Sequence, residues 1–444
     1  MMKQIFQKEK IYIAGPECFY EGGPALLAAM KQHSEAQGFG VTLPNDHPLD
    51  MENPDLRKRA DSIFADLEAV MKETTIVIAD LEAFRGSEAD SGTIYELGMA
   101  YAKGARCFGY TRDKRPLSWK DQKYQFDGTH ITDEHGKIAP YPDLPFAPSV
   151  VASTKITEGD YQHCLSRLME ELEEEKKLGG ERQAGADAAA CSADNKACSA
   201  DGTDCGTEDR RCVSGCAYRS AEKQDGWRQT PLHARPRIFL SGTERYEKNA
   251  RDLYARYKAF GEQLGVEILT PMDGILPQLE SCTAEAFRAA GNNGNLENGG
   301  MSGAGWKNMD EEKTPAAFAE DPYVRAAYLF QNWQQQLAAC DAILADLNDY
   351  RGYECSNDVG FECGAAFQMG KKCFGYMRDT RRMRDRIPNR GERYGFRDMN
   401  GANVENFDYP INLMFGSSMQ IYEGSIEEIL PKVAEALGVE KSHR

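Results

Sequence analysis

A glutamate near the start of an apolar helix is the side chain of this sequence best suited to covalent chemistry. The segment 90–98 reads DSGTIYELG, in which Ser91 or Thr93 can cap a helix that has Glu96 in its first turn. The positive end of a helix favours an ionised carboxylate, the form that a nucleophile or a general base requires. Acidic residues are also common in first turns that have no catalytic role, so Glu96 alone leaves both interpretations open.

The segment around Glu96 occurs twice, because the chain contains one domain in two copies. Residues 80–115 align without a gap on residues 346–381, and 16 of the 36 pairs are identical. A second gapless match lays residues 11–46 on residues 238–273. The offsets of the two matches, 266 and 227, differ by 39 residues, which we assign to an insertion in the second copy. This pattern indicates a tandem duplication, so each copy serves as a comparison for the other.

The comparison favours a specific role for the glutamate. Glu96 corresponds to Glu362, and Gly98 corresponds to Gly364, although much of the surrounding surface differs between the copies. This persistence shifts the balance between the two interpretations towards a functional role for Glu96.

The elements that must position these residues follow the same order in both copies. Each copy begins with a short apolar strand that ends in glycine, at residues 11–16 and 238–243, and strands then alternate with helices of about ten residues. This alternation predicts two tandem α/β domains, each a doubly wound parallel sheet of the flavodoxin-like or Rossmann-like kind, forming a pseudo-dimer. Ligands bind beyond the carboxyl ends of parallel strands, so we expect chemistry at Gly15, Asp80 and their neighbours, with Gly15 as a candidate substrate-binding residue.

Composition divides the chain into two domains and a linker. We predict a first domain at residues 1–175 and a second at 236–444, joined by a Gly-, Ala-, Asp- and Cys-rich linker at 176–235. The linker has almost no large apolar residues to offset chain entropy, which is typical of flexible segments. The Asn- and Gly-rich stretch at about 280–321 accounts for the insertion. We interpret it as a surface insertion, with a lid over a site as the alternative.

Charge and hydropathy exclude several kinds of partner. The net charge of −17 argues against a nucleic-acid polymer or an anionic membrane. No apolar run approaches the length of a membrane span, and the N-terminus lacks the apolar core of a signal peptide, so we expect a soluble, cytoplasmic protein. Five of the 13 cysteines fall in the linker, where only Cys212 and Cys216 have a spacing typical of metal ligands. A zinc site is therefore disfavoured.

Taken together, these motifs resemble those of the nucleoside 2-deoxyribosyltransferases and the related nucleoside and nucleotide N-glycosidases. The resemblance rests on IYIAGPECF at 11–19, on FADLEAV at 64–70, on DSGTIYELGMAYAKG at 90–104 and on INLMFG at 411–416. It covers both copies, but neither the linker nor the Asn- and Gly-rich insertion.

The resemblance implies a double displacement at the anomeric carbon of a deoxyribonucleoside, with retained configuration. Glu96 would be the nucleophile and Tyr12 the hydroxyl that orients it. Asp66 would bond the base and pass a proton to its leaving nitrogen, and Asp90 would hold the sugar. Asn412 corresponds to a residue that reaches across a subunit interface to the neighbouring sugar site. The resemblance also implies that no metal and no organic cofactor is needed.

Comparison of the copies predicts one complete site. Most site residues differ between the copies: Tyr12 is replaced by Phe239, Asp66 by Asn332, Asp90 by Ser356, and Asn412 by Ala147. Only Glu362 remains of the second set, so the second domain is predicted to act as a built-in partner. Two alternatives remain: a two-residue gap would set Asp358 against Asp90, and in a larger homo-oligomer Asn412 would serve another chain.

Three functions remain open at this point. The first is a transferase that moves 2-deoxyribose from a deoxyribonucleoside to a free nucleobase. The second is a deoxynucleoside or deoxynucleotide N-glycosidase, in which water attacks instead; the acidic loop GPECFYEGG has no arginine, which favours an uncharged nucleoside. The third is a nucleoside-binding module without catalysis.

One further shared motif, R-G-x-E, occurs at residues 85–88 and 351–354. It is able to bind a phosphate, but its presence in the depleted second copy favours a structural or interface role.

Overall fold

The computed structural model describes residues 6–44, 46, 48–120, 124–126, 131–134, 136–138, 143–193, 233–274 and 321–439. Residues 194–232 of the predicted linker, with Cys212 and Cys216, lie outside this set, as do residues 280–320 of the predicted insertion. Within the described ranges, no helix has both the length and the apolar character needed to cross a bilayer.

The first domain contains seven strands and six helices within the residues described. The strands are β1 Lys10–Ala14, β2 Gly40–Thr42, β3 Ile76–Asp80, β4 Arg106–Thr111, β5 Gln125–Phe126, β6 Ile131–Thr132 and β7 Lys155–Glu158. The helices are α1 Gly23–Gln37, α2 Leu56–Glu73, α3 Ser91–Lys103, α4 Leu117–Lys120, α5 Pro148–Ser153 and α6 Tyr161–Ala193.

The second domain repeats this order. Its strands are β8 Arg237–Ser241, β9 Glu267–Leu269, β10 Ala342–Asp346, β11 Lys372–Met377 and β12 Gln420–Glu423. Its helices are α7 Ala250–Gln263, α8 Pro322–Ala339, α9 Asn357–Gln368, α10 Met383–Arg386, α11 Leu413–Ser418 and α12 Ile426–Ala436.

Each domain is built on a parallel five-stranded sheet. The strand orders are β2-β1-β3-β4-β7 and β9-β8-β10-β11-β12, and every pair within these sheets is parallel. This is the flavodoxin-like order, in which the chain reverses direction across the sheet beside its first strand. The central strands are buried on both faces, as their continuous apolar sequences require. The predicted fold class is therefore confirmed.

The two domains pack face to face through α3 and α9. Gly98 and Gly364 stand where these helices cross: a Cβ on Gly98 would lie 2.1 Å from the carbonyl oxygen of Phe361, and one on Gly364 would lie 1.9 Å from that of Tyr95. Only glycine allows backbones to approach so closely. The persistence of both glycines is thus explained by interdomain packing, and a single hydrophobic core runs through the interface.

The R-G-x-E motifs also meet at this interface. The Arg85 guanidinium pairs with Glu354 at 3.1 Å, and that of Arg351 pairs with Glu88 at 3.5 Å. Between them, Gly86 and Gly352 form an antiparallel backbone bridge. The reciprocal pairing places the motifs on the pseudo-two-fold axis, which is the interface role that the sequence favoured.

Candidate active site

Tyr12 and Glu96 meet at the carboxyl end of the first sheet. The Tyr12 hydroxyl, on β1, donates a hydrogen bond of 2.6 Å to Oε1 of Glu96, on α3, and both side chains are buried. Burial raises the pKa of Glu96 to about 8, and Asp90 and Glu17 add to the rise, whereas the hydrogen bond from Tyr12 lowers it. The two motifs therefore come together in the fold, where the hydroxyl of one orients the buried carboxyl group of the other.

The start of α3 differs from the prediction. Neither Ser91 nor Thr93 caps the helix; Asp90 does, and its Oδ2 accepts hydrogen bonds from the Thr93 amide at 2.7 Å and the Thr93 hydroxyl at 2.8 Å. With Asp90 as the cap, Glu96 lies in the second turn and not in the first. The helix dipole weakens beyond its first turn, so burial dominates and raises the pKa of Glu96.

The two predicted aspartates lie beside this pair. Asp66 projects from α2, is buried, and contributes to the raised pKa of Tyr12, although burial and Glu96 contribute more. Asp90 is 2% exposed, and its Oδ1 has no hydrogen-bond partner among the described residues. One oxygen of Asp90 therefore holds the helix, and the other is buried without a hydrogen-bond partner within the described residues.

Gly15 follows β1 and allows a second carboxyl pair to form. A Cβ at Gly15 would lie 1.9 Å from Oε2 of Glu17, so the glycine is required for this close approach. The Tyr110 hydroxyl donates to Oε1 of Glu17 at 2.7 Å. Burial and the neighbouring Glu17 raise the pKa of Asp80 to about 7. Sequence reasoning missed Glu17.

The second domain reaches the Glu96 helix from the other side. Asn412 caps α11 by accepting from the Met414 amide at 3.0 Å, and its side-chain atoms lie 2.6–3.0 Å from the Cβ position of Gly92, in the first turn of α3. The adjacent Leu413 amide donates to Glu405 at 2.8 Å. Burial raises the pKa of Glu405 to about 8. Asn412 is thus brought to the Glu96 helix within one chain, and Glu405 is a neighbour that sequence reasoning missed.

The loop that carries Glu405 has a counterpart that the initial alignment did not reveal. Asp398 corresponds to Asp133 at an offset of 265, and each closes the same kind of turn. Each loop crosses to the opposite domain, where the Asn403 amide donates to Phe19 O and the Ile138 amide to Tyr246 O, both at 2.7 Å. The sequence could have revealed this pair of loops, because Asp133 and Asp398 recur at the same offset as Gly136 and Gly401.

The corresponding site of the second copy is rebuilt around different contacts. Ser356 takes the cap position of α9, as the gapless alignment requires. Asp358 does not replace Asp90: its Oδ1 accepts from the Ser149 amide at 2.9 Å across the interface, near the start of α5. The two-residue-gap alternative is therefore wrong. Asn332 donates to the Asp273 carbonyl at 2.6 Å.

Arg245 fills the second site. Its guanidinium forms a two-point ion pair with Glu362, with Nη1–Oε1 at 2.9 Å and Nη2–Oε2 at 2.7 Å, and both side chains are fully buried. The guanidinium also lies 4.6 Å from the centre of the Trp333 ring. Glu362 is therefore covered by a side chain of its own domain.

Comparison with known proteins identifies one family for both copies. The model of the nucleoside 2-deoxyribosyltransferase family matches the chain twice, over residues 11–140 and 238–414. The chain belongs to the nucleoside 2-deoxyribosyltransferase family. Among solved structures, a 2-desoxiribosyltransferase from Leishmania mexicana is 23% identical, with a TM-score of 0.30, over 45% of this chain and 97% of its own. No curated protein sequence matches.

The two deoxyribosyltransferase matches confirm the duplication and the family resemblance. Both matches begin at the first strand of a domain. The family consists of transferases that act on nucleosides.

Proposed function

We propose that this protein is a nucleoside 2-deoxyribosyltransferase with one composite site per chain, which transfers 2-deoxyribose between nucleobases. The observation that carries the proposal is the buried Tyr12–Glu96 hydrogen bond, with Asn412 of the second domain against the start of the same helix. A carboxyl group that attacks a sugar must face the site and be held in position, and here the hydrogen bond to one carboxyl oxygen holds it.

In the first half-reaction, Glu96 attacks C1′ of the deoxyribonucleoside. The C1′–N bond breaks, its electron pair leaves with the base, and Asp66 donates a proton to the departing nitrogen. Tyr12 occupies Oε1 of Glu96, which leaves Oε2 as the attacking oxygen. In the second half-reaction, a nitrogen of the incoming base attacks C1′ and displaces Glu96, and Asp66 recovers a proton. Two inversions give retained configuration.

The charges around the site support an uncharged nucleoside as the substrate. Arg85 is close enough to lower the pKa of Asp90, which burial raises. However, its guanidinium is already bonded to Asp398 at 3.1 Å, to Glu354 at 3.1 Å and to the Asn403 carbonyl at 2.6 Å. A substrate phosphate would have to compete with these bonds and approach several carboxyl groups.

The test is product analysis with deoxyinosine and free adenine for the wild type, Glu96→Gln and Glu362→Gln. We expect deoxyadenosine from the wild type and from Glu362→Gln, and a loss of about 10³-fold or more in Glu96→Gln. Glutamine is the matched replacement, because alanine at Glu362 would leave Arg245 buried and unpaired. Free deoxyribose without deoxyadenosine would show an N-glycosidase instead. Nucleoside binding without turnover would show a binding module, and inactivity of only Glu362→Gln would reverse the roles of the two copies.

A further inference from the structure

The guanidinium of Arg85 uses all three of its nitrogens on acceptors from the second domain. Its Nε donates to Oδ2 of Asp398 at 3.1 Å, its Nη1 to Oε1 of Glu354 at 3.1 Å, and its Nη2 to the carbonyl of Asn403 at 2.6 Å. The side chain is 2% exposed. Hydrogen bonds between charged groups are stronger than those between neutral ones, so this guanidinium fixes its three acceptors relative to one another.

The contact with Glu354 extends to the helix that carries the proposed nucleophile. The second oxygen of Glu354, Oε2, accepts a hydrogen bond of 2.9 Å from the amide of Ser91, the first residue of α3. Asp90, the cap of the helix, directly precedes Ser91, and Glu96 lies in the second turn. Arg85 therefore acts on the start of α3 through one intermediate carboxylate.

The contact with Asn403 extends to the turn that follows β1, the strand of Tyr12. The Asn403 amide donates to the carbonyl of Phe19 at 2.7 Å, and Phe19 is the last residue of the short 3-10 helix Pro16–Phe19. The Arg85 guanidinium also lies 5.4 Å from the centre of the Phe19 ring. Arg85 therefore holds this turn through a backbone contact and a ring contact.

Arg351, the counterpart of Arg85 in the second copy, forms longer contacts. The two backbones match, with left-handed φ angles of 52° at Arg85 and 53° at Arg351, so the difference lies in what the side chains reach. The Arg351 Nε lies 3.4 Å from Oδ2 of Asp133, and Nη1 lies 3.5 Å from Oε1 of Glu88. Among the described residues, neither terminal nitrogen of Arg351 forms a hydrogen bond. The fully bonded arginine thus belongs to the copy that carries the proposed nucleophile.

We propose that Arg85 is a positioning residue for the Tyr12–Glu96 pair, acting from the domain interface through Glu354 and Asn403. It fixes the start of α3 on one side of the pair and the turn after β1 on the other, and so keeps the hydroxyl and the carboxyl group aligned. The inference rests on the proposed function in taking Glu96 as the nucleophile. Arg351 has no such role.

The first measurement is hydrogen–deuterium exchange of the full-length chain, read by mass spectrometry, for Arg85→Lys and the matched control Arg351→Lys. Lysine keeps the positive charge, but one ammonium group cannot span three acceptors as a planar guanidinium does. Arg85→Lys should speed exchange by about fivefold or more in peptides that cover residues 13–22 and 88–99. Arg351→Lys should leave exchange in both peptides at the wild-type rate. This readout does not depend on activity.

The second measurement is kcat/KM for deoxyinosine as a function of pH, at a temperature where both variants are folded. Arg85→Lys should lower kcat/KM by about tenfold or more. Its rise with pH should move to higher pH, because a misaligned Tyr12 lowers the pKa of Glu96 less. Combined with Tyr12→Phe, it should lose less than the product of the two single losses, since both changes disturb one hydrogen bond. Arg351→Lys should stay within about twofold of the wild type.

Three results would overturn the inference: unchanged exchange in both peptides of Arg85→Lys, an equal loss of kcat/KM in Arg351→Lys, or a lower Tm of Arg85→Lys with an unchanged pH profile. The last is what a purely structural arginine would give. If the wild type has no transferase activity, the proposed function fails, and exchange still decides whether Arg85 holds the two segments.

A second variant tests one of the two connections if Arg85→Lys does not fold. Glu354→Gln keeps an acceptor for the Ser91 amide but loses the charge that pairs with Arg85. It should speed exchange in the peptide that covers residues 88–99 and leave the peptide that covers residues 13–22 unchanged. Unchanged exchange in both peptides would show that Arg85 does not act through Glu354.

Discussion

Glu354, from the second domain, holds the first residue of the helix that carries Glu96. Its Oε2 accepts a hydrogen bond of 2.9 Å from the Ser91 amide and a second, shorter one from the Ser91 hydroxyl. The relation is reciprocal, because Glu88 accepts from the Asn357 amide at 2.7 Å, at the first residue of α9. Each domain thus satisfies a helix-terminal amide of the other, which the helix itself leaves unbonded.

This reciprocity gives a matched pair of variants, Glu354→Gln and Glu88→Gln. Each removes a charge from a buried ion pair with an arginine of the other domain, so both should lower the free energy of unfolding by about 1–3 kcal/mol. Only Glu354→Gln should also lower kcat/KM for deoxyinosine, because only α3 carries the proposed nucleophile. Denaturant unfolding and steady-state kinetics measure the two effects. Equal loss of kcat/KM in both variants would contradict a single site.

The pH dependence of activity should report the ionisation of Glu96. The free enzyme must lose a proton from Glu96 before attack, so kcat/KM should rise with pH towards the pKa of about 8. Tyr12→Phe removes a hydrogen bond that lowers the pKa of Glu96. The rise in kcat/KM should therefore move to higher pH, and the maximum value of kcat/KM should fall. The measurement is kcat/KM for deoxyinosine from pH 5 to about 9.5. A Tyr12→Phe profile that is unchanged or shifted to lower pH would exclude this role.

Replacement of Asn412 separates its cap from its proposed contact with the sugar. Asn412→Ala loses the bond from the Met414 amide and should cost about 1 kcal/mol of stability. Asn412→Asp keeps the acceptor and should recover most of that stability, but it lacks the amide donor. If the amide binds the sugar, KM for deoxyinosine should rise in both variants. Recovery of both stability and KM by aspartate would mean that Asn412 is only a cap.

The α3–α9 crossing should tolerate no Cβ. Gly98→Ala and Gly364→Ala each bring a methyl group within about 2 Å of a backbone carbonyl oxygen, and overpacking of this kind costs about 1–3 kcal/mol or more. Both variants should lower Tm and reduce turnover, although Gly364 belongs to the second copy. Gly22→Ala is the control, because a Cβ there meets nothing within 4 Å. A Tm for Gly364→Ala equal to that of Gly22→Ala would refute the close packing.

Stability should fall as pH rises through neutrality. The pKa values of Glu88, Glu96 and Glu405 are raised to about 7, 8 and 8, chiefly by burial. Between the ordinary carboxyl pKa and these values the folded state binds more protons than the unfolded chain, so the free energy of unfolding decreases with pH. Glu405→Gln keeps an acceptor for the Leu413 amide and cannot ionise, so it should flatten this slope. Urea unfolding at pH 5, 6, 7 and about 8 measures it.

The sequence predicted the fold better than the site. Strand–helix alternation and the repeated segments were sufficient for two parallel α/β domains, and the family assignment confirmed them. The cap of α3 was predicted wrongly because Ser91, Thr93 and Asp90 are all good caps, and only the three-dimensional turn selects Asp90. Arg245 was missed because an arginine in a polar loop is usually solvated; its burial depends on Glu362 and Trp333, which are remote in sequence.

The buried Arg245–Glu362 pair also bears on the history of the chain. In a symmetric homodimer every substitution appears in both subunits, so an arginine at this position would close both active sites at once. Here, joining the two copies in one polypeptide frees each half to diverge separately. The second half is able to lose its own chemistry while it still supplies Asn412 and Glu354 to the first. Fusion thus permits the division of labour that we propose between a catalytic half and a supporting half.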